Sequence, residues 1–192
     1  MATTPLRVVG VSGSLHEPSK TTALVRELID DVARRTAVDA RLIELTALGP
    51  AFAGALRRED AGPEVEDALQ AIESADLLIV ASPVYRASFT GLFKHLFDFV
   101  GQYALVGTPV ILAATGGGER HALILEHQLR PLFGFFQALT LPVGVYASDT
   151  DFTAGVLTSD AVRARIDQAV SRSLPLVEQA SAVPSSEYVA TW

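Results

Sequence analysis

VVGVSGSLHEPSKTTALV, residues 8–25, decides how this chain is read. Its opening is a β-branched apolar run, the end of a segment from Leu6 to Val11 that has the composition of a buried strand. A knot of small residues follows: Ser12, Gly13, Ser14, Ser19, Thr21 and Thr22, with His16 among them. From Thr21 onward, Leu24, Val25, Leu28, Ile29 and Val32 recur at helical spacing with charged residues between them, which predicts an amphipathic helix capped by Thr21 or Thr22. A helix start presents unpaired N–H groups and a partial positive charge, and hydroxyls beside it add donors, so the stretch reads as an anion site. The plainer alternative is a capped helix after a tight turn.

The remainder alternates in the same way. Ala40 to Leu45 reads as a second strand. ADLLIVASPVY (75–85) is a third, too continuously apolar to have one face in water. TPVILAATGGG (108–118) is a fourth, and LPVGVYA (141–147) a fifth. Between them the spacing predicts helices from Pro63 to about Ser74, over TGLFKHLFDFVGQYAL (90–105), from Glu119 to Leu139 with an irregularity at Pro131, and from Ser159 to Ala180. GPAFAGALRREDAGP (49–63) reads as a loop or broken segment. Five strands alternating with helices predict an α/β, three-layer αβα sandwich with a five-stranded parallel sheet in the flavodoxin-like order 2-1-3-4-5. Residues 1–180 form that one domain, and 181–192 a loosely ordered tail. Ligands of such sheets bind beyond the carboxyl ends of the strands, where three loops rich in Gly, Ser or Thr converge: 12–22, 82–88 and 115–121.

Composition narrows the functions. With 192 residues, 49% of them hydrophobic, the chain can bury one sizeable core. A net charge of −7 argues against nucleic acid or an anionic membrane as partner. There is no cysteine, which removes thiolate metal sites and cysteine nucleophiles and fits a reducing compartment. No metal site is expected. The first residues lack a cationic start with a long apolar core, and no apolar run reaches the roughly 20 residues that span a bilayer, so a cytoplasmic protein is expected.

The loops exclude several chemistries. Ser19-Lys20-Thr21 lacks the second glycine and the spacing of a P-loop, and Gly10 with Gly13 does not make a dinucleotide fingerprint. Gly10-Val11-Ser12-Gly13 misses a nucleophile elbow by one residue, so the three glycines at 116–118 have no serine to serve as an oxyanion hole. A hydroxyl-lined loop suited to the monophosphate of a mononucleotide remains, and FMN is the common such ligand on this fold. Pro83 stiffens the second loop and Tyr85 offers an aromatic face or edge to a flat ring. Glycines in the third let backbone lie against such a ring.

GSLHEPSKTT, SPVYRASFTG and TGGGERH, in that order, resemble the NADPH-dependent FMN reductase family, over roughly Arg7 to Ala180. TGGGERHALILEHQLRPLF adds a narrower resemblance to the flavin reductases of alkanesulfonate and methanesulfonate monooxygenases. The resemblance implies FMN and NADPH or NADH as cofactors. It sets Ser12, Ser14, His16, Ser19 and Thr21, with Thr22 in the same loop, around the phosphate; Pro83, Val84, Tyr85 and Arg86 beside the isoalloxazine; and Thr115, Gly116 and Gly117 near its polar edge. His16 stands where relatives usually carry Arg. It also implies hydride transfer from nicotinamide C4 to flavin N5, directed by stacking, with no residue strictly required for acid–base work. Reduced FMN would pass to a partner monooxygenase. His127 occupies the place where relatives carry an inserted aromatic, so a π-type bulge at a subunit interface is expected there, an ordinary helical His being the alternative. His121 is expected to be a helix-start His with an ordinary partner, ordering of the glycine loop being the alternative, and His95 to lie on a helix surface or interface.

Seven of the nine Phe fall between residues 89 and 136, more than one sheet-facing stripe per helix absorbs, which predicts a homodimer or homotetramer; the alternative is a thick core. Two other functions share the scaffold: a flavodoxin-like electron carrier, and an azo- or quinone reductase. Arg86 and Arg120 are the candidates for a nicotinamide 2′-phosphate.

Overall fold

Leu6–Ser12 forms strand β1, whose last five residues are buried. The computed structural model describes residues 4–182, so the expected tail lies, but for its first two residues, outside the described residues. β1 pairs in parallel with β2 (Val38–Glu44) on one side and β3 (Leu77–Pro83) on the other, and β3 with β4 (Pro109–Gly116). The order β2-β1-β3-β4, with a fifth position beyond β4, is the flavodoxin-like one that the alternation predicts. The fifth position differs in detail. It is shared by two short strands, β5 (Leu139–Thr140) and β6 (Val145–Ser148), each parallel to β4. Pro142 between them has no N–H to give a ladder. At Gly144 a Cβ would sit 3.0 Å from Leu125 Cδ1 and 3.2 Å from the Leu112 carbonyl. A continuous strand over 141–147 is therefore blocked.

Period-two alternation divides each central strand between two cores. Val8, Leu77, Ile79, Ile111 and Ala113 face α1 (Lys20–Ala33) and α6 (Asp160–Ala182), packing on Leu24, Val25, Leu28, Ile166 and Val170. Val9, Val11, Leu78, Val80 and Leu112 face α2 (Gly49–Gly54), α3 (Pro63–Glu73), α4 (Gly91–Phe99) and α5 (Arg130–Phe135). Sandwiched this way, the strands have no face in water, which explains their unbroken apolar runs.

The second core corrects the aromatic argument. Phe93, Phe97, Phe99, Phe133 and Phe136 are all buried, and Phe93–Phe97 and Phe97–Phe133 stack with centroids 4.9 Å apart. Phe89 packs against the same core, so only Phe135 of the seven stands out, 62% exposed. The aromatics thus mostly build a thick core, each buried ring stabilising by roughly 1.5–3 kcal/mol. His95 joins them, Nε2 lying 3.1 Å from the Phe52 carbonyl and its ring 4.6 Å from that of Phe99.

Other elements depart from expectation for local reasons. Ser19, not Thr21 or Thr22, caps α1. α4 stops at Phe99 because the Gly101 amide turns to the Glu73 carboxylate at 2.9 Å. The segment 49–63, expected as a loop or broken segment, is a broken one that holds α2 and a 3-10 turn at Arg58–Asp60. The expected helix over 119–139 is a 3-10 turn at Glu119–His121, a π-helical turn at Leu125–Leu129, and α5. After β6, a small antiparallel hairpin of β7 (Phe152–Thr153) and β8 (Val156–Leu157) leads into α6.

Asp76 at the head of β3 accepts from Arg7 three times: from its backbone N–H at 2.9 Å, Nε at 3.1 Å and Nη2 at 2.7 Å. The guanidinium holds this carboxyl below its ordinary value. A carboxyl whose folded pKa is depressed stabilises fully above the unfolded value, near 3.9, and ceases to as pH falls through the folded one. Arg7→Met is therefore expected to lower the urea midpoint at about neutral pH and to flatten the loss of stability below about pH 4, read from urea titrations across pH.

Candidate active site

The loop after β1 holds itself together with the hydroxyls expected to face a ligand. Ser12 Oγ lies 2.8 Å from Thr22 Oγ1, which donates to Glu44 at 3.1 Å, so both ends of the loop are tied to each other and to the end of β2. Ser19 Oγ accepts the Thr22 N–H at 3.1 Å, and Ser14 Oγ exchanges hydrogen bonds with the His16 backbone at 3.1 and 3.3 Å. Thr21 Oγ1 meets Thr115 Oγ1 at 2.6 Å. The hydroxyls expected to line an anion site are thus engaged in bonds within the protein. Lys20 and Thr21, first residues of α1, have amides with no acceptor among the described residues, as helix starts leave them. His16 stands exposed at the rim.

Gly13 anchors this loop to the rest of the site. Its N–H donates to the Ala81 carbonyl at 2.7 Å, and its carbonyl accepts from Thr90 Oγ1 at 2.9 Å. A Cβ there would stand 2.8 Å from Phe93 Cδ2 and 3.1 Å from the Ala81 carbonyl, so only glycine allows the approach. Thr90 also caps α4, accepting the Phe93 N–H at 3.3 Å, and its own N–H donates to the buried Ser82 Oγ at 3.0 Å. The N-cap role was readable in T-G-L-F; the reach back to Gly13 joins residues 77 apart in sequence and carries no local signal.

Pro83 and Val84 close the second loop against the third, the Val84 N–H donating to the Thr115 carbonyl at 2.8 Å. Tyr85 and Ser88 then exchange backbone bonds of 2.8 and 3.0 Å around Arg86 and Ala87, whose φ values of 49° and 69° make a left-handed two-residue hairpin turn. Neither residue is glycine, so the conformation is held at a cost of about 1–2 kcal/mol per residue. Ser88 Oγ donates to Gln128 Oε1 at 3.0 Å, fastening the hairpin to the π turn. Tyr85 is 40% exposed and Arg86 forms no ion pair among the described residues, so both project from the loop.

In the third loop the Tyr146 hydroxyl donates to the Gly118 carbonyl at 2.7 Å. A Cβ on Gly116 would lie 2.5 Å from that oxygen, and one on Gly117 3.9 Å from Asp149 Oδ2. Burial pushes the Tyr146 phenol above its ordinary pKa, as do the carboxylates of Glu119, Asp149 and Asp151. Lys20 Nζ reaches Asp149 Oδ1 at 2.8 Å, closing a bridge from the first loop to the end of β6. Tyr146, Asp149 and Thr90 all escape a reading of the three loops alone.

The π turn follows. Within Leu125–Leu129 the chain carries His127 exposed on one side and buries Leu125 and Leu129 on the other, and the Arg130 N–H bonds to the Leu125 carbonyl five residues back. Leu125 packs on Gly144 where the fifth strand is interrupted.

The structure thus gathers Ser12, Ser14, His16, Ser19, Thr21, Thr22, Pro83, Val84, Tyr85, Arg86, Thr115, Gly116 and Gly117 at the carboxyl ends of the central strands. Among the described residues no cluster of His, Asp and Glu could hold a metal, and every buried side-chain nitrogen or oxygen has a partner. What the site offers is free helix-start amides, glycine backbone without Cβ, and an aromatic hairpin. That set fits FMN: amides for a phosphate, bare backbone and Tyr85 for a flat ring.

Comparison with known proteins agrees. Residues 6–153 match the family model of NADPH-dependent FMN reductases. An FMN reductase (NADPH) of Pseudomonas aeruginosa is 53% identical over 174 residues, 91% of this chain and 94% of that protein. An NADH-dependent FMN reductase of Pseudomonas fluorescens is 52% identical, covering 90% of this chain and 92% of its own length. A solved oxidoreductase of Corynebacterium diphtheriae superposes with a TM-score of 0.81 at 34% identity, over 92% of this chain and 99% of its own. Fold, loops and comparisons agree that the chain belongs to the NADPH-dependent FMN reductase family.

Proposed function

We propose that this protein is an NAD(P)H-dependent FMN reductase that passes reduced FMN to a partner monooxygenase of organosulfur metabolism. The observation that carries the reading is the joining of an amide-faced loop to a glycine loop through Thr21 and Thr115. FMN, when bound, would supply the redox chemistry, as acceptor of a hydride from the nicotinamide. The protein's work is binding and alignment. The amides of Lys20 and Thr21, with Ser14, Ser19 and His16 at the rim, hold the phosphate. Ser12 and Thr22 act on it through the loop they brace. Pro83, Val84, Tyr85 and Arg86 flank the ring, and Thr115, Gly116 and Gly117 meet its polar edge. Arg86 and Arg120, exposed beside the ring site, suit the 2′-phosphate of NADPH; relatives of nearly equal identity are named for either nicotinamide. Among the described residues no helix is long and apolar enough to cross a membrane, and the cytoplasm is the proposed place of action.

Assembly into a homodimer or homotetramer belongs to the same proposal. Leu123 and Phe135 are 61% and 62% exposed on either side of the π turn. A cavity of about 600 Å³ opens beside Phe135, lined also by Leu132, Phe97, Val100 and Lys94. Exposed aromatic and aliphatic surface at an open cavity favours a second subunit.

Steady-state oxidation of NADH and NADPH with added FMN tests the activity: FMN-dependent turnover is expected, and flavin retained tightly without turnover would favour the electron carrier. Gly116→Ala drives a methyl group into the Tyr146 hydroxyl and is expected to raise KM for FMN at least about tenfold and to cost about 1–3 kcal/mol in urea unfolding. Thr90→Val removes the donor to Gly13; a loss of about 1–3 kcal/mol and weaker FMN binding are expected, the latter from flavin fluorescence. Deleting His127 returns the turn to α-helical register, and light scattering is expected to show a smaller assembly.

A further inference from the structure

The ion pair between Lys20 and Asp149 has no part in the scheme above, and its position gives it one. Lys20 is the single Lys or Arg in residues 12–22 and the first residue of α1, the same turn whose amides lack acceptors. Its Nζ lies 2.8 Å from Asp149 Oδ1 and 6.0 Å from the centre of the Phe152 ring. Asp149 in turn borders Gly117 of the third loop. The pair thus crosses from the phosphate loop to the glycine loop. Both side chains are open to water, 39% and 60% exposed, so the bond is an exchangeable one. The other cation near the loop, Arg26, is occupied by Glu44 at 2.9 Å.

We propose that Asp149 is an internal competitor for the flavin phosphate: its carboxylate holds Lys20 while the site is free and yields it when the phosphate arrives. This rests on the FMN reading above and extends it, since neither residue is among those assigned to FMN by the sequence. A phosphomonoester carries a charge of about −1.5 to −2 near neutral pH, so it outbids a single exposed carboxylate for the ammonium. Every binding event must first break the Lys20–Asp149 bond. Affinity is thereby held down, as suits a flavin that has to leave.

The test is a double-mutant cycle on the full-length protein, with dissociation constants for FMN and for riboflavin, which lacks the phosphate, read by flavin fluorescence. Asp149→Asn is expected to tighten FMN about three- to fivefold, the worth of an exposed ion pair. Lys20→Met is expected to weaken it about fivefold, and Lys20→Arg to restore most of the loss. In the Lys20→Met background, Asp149→Asn should change nothing, and no variant should alter riboflavin binding. Far-UV circular dichroism and unfolding midpoints check that the exposed substitutions leave the fold intact. FMN binding that is indifferent to Asp149→Asn overturns the competitor role alone. So does tightening that persists without Lys20, which would mean plain repulsion, or an equal effect on riboflavin. A wild-type protein that binds no FMN at all overturns both this inference and the FMN reading.

Discussion

The Gly13 backbone is where this molecule is most constrained. Its amide is taken by the Ala81 carbonyl of β3, and its carbonyl and Cα by the start of α4, through the Thr90 hydroxyl and the Phe93 ring. The opening strand leaves the sheet at this point, so the path of the whole anion loop depends on it. Because Phe93 belongs to the aromatic stack that runs through Phe97 to Phe133, the loop rests on the interior of the protein. A close-packed core resists displacement, so positional accuracy at the site is inherited from packing beneath it.

From that point the site is stitched by hydrogen bonds between loops. Thr21 with Thr115, Val84 with Thr115, Ser82 with Thr90, and Ser88 with Gln128 link the three loops and the π turn. The hydroxyl groups are spent on this stitching, and the surface left for a ligand is mostly main chain. Main-chain donors have no rotamer freedom to lose when a ligand arrives, and their directions are set by the elements that carry them. Binding and aligning a flavin that carries its own redox chemistry asks for this kind of fixed platform more than for any titrating group.

How much of this could be read beforehand depends on how local the signal is. The sheet order was legible because β3 and β4 are unbroken apolar runs joined by helices, and crossover handedness leaves few arrangements. The three loops were legible because small residues follow each strand directly. The direction of each hydroxyl was not: Ser12 and Thr22 turn to each other, and nothing in S-x-x-x-x-x-x-x-x-x-T spacing announces that bond. Ser19 rather than Thr21 or Thr22 as helix cap is a shift of two to three positions, decided by which oxygen reaches the Thr22 amide. The aromatic surplus was misjudged because periodicity along one helix says nothing of the depth of the layer beneath it; α4 and α5 bury one continuous cluster. Tyr146 and Asp149 escaped because their roles arise only when β6 is laid beside β4. Pro142 and Gly144 were in view, but the reading took the apolar residues around them for a whole strand.

The interruption at Pro142 and Gly144 bears on more than the shape of the site. A parallel sheet of this kind has two open margins, and an unpaired row of N–H and C=O groups invites another chain to dock on it. One margin, β2, carries Asp39, Arg41 and Glu44, so a neighbouring strand would meet charge. The other is cut into segments of two and four residues, with a proline between them that can offer no donor. Neither side presents the long, flat, uncharged run on which cross-β aggregation starts, so a chain this rich in apolar residues is protected at its margins against self-templated fibre growth.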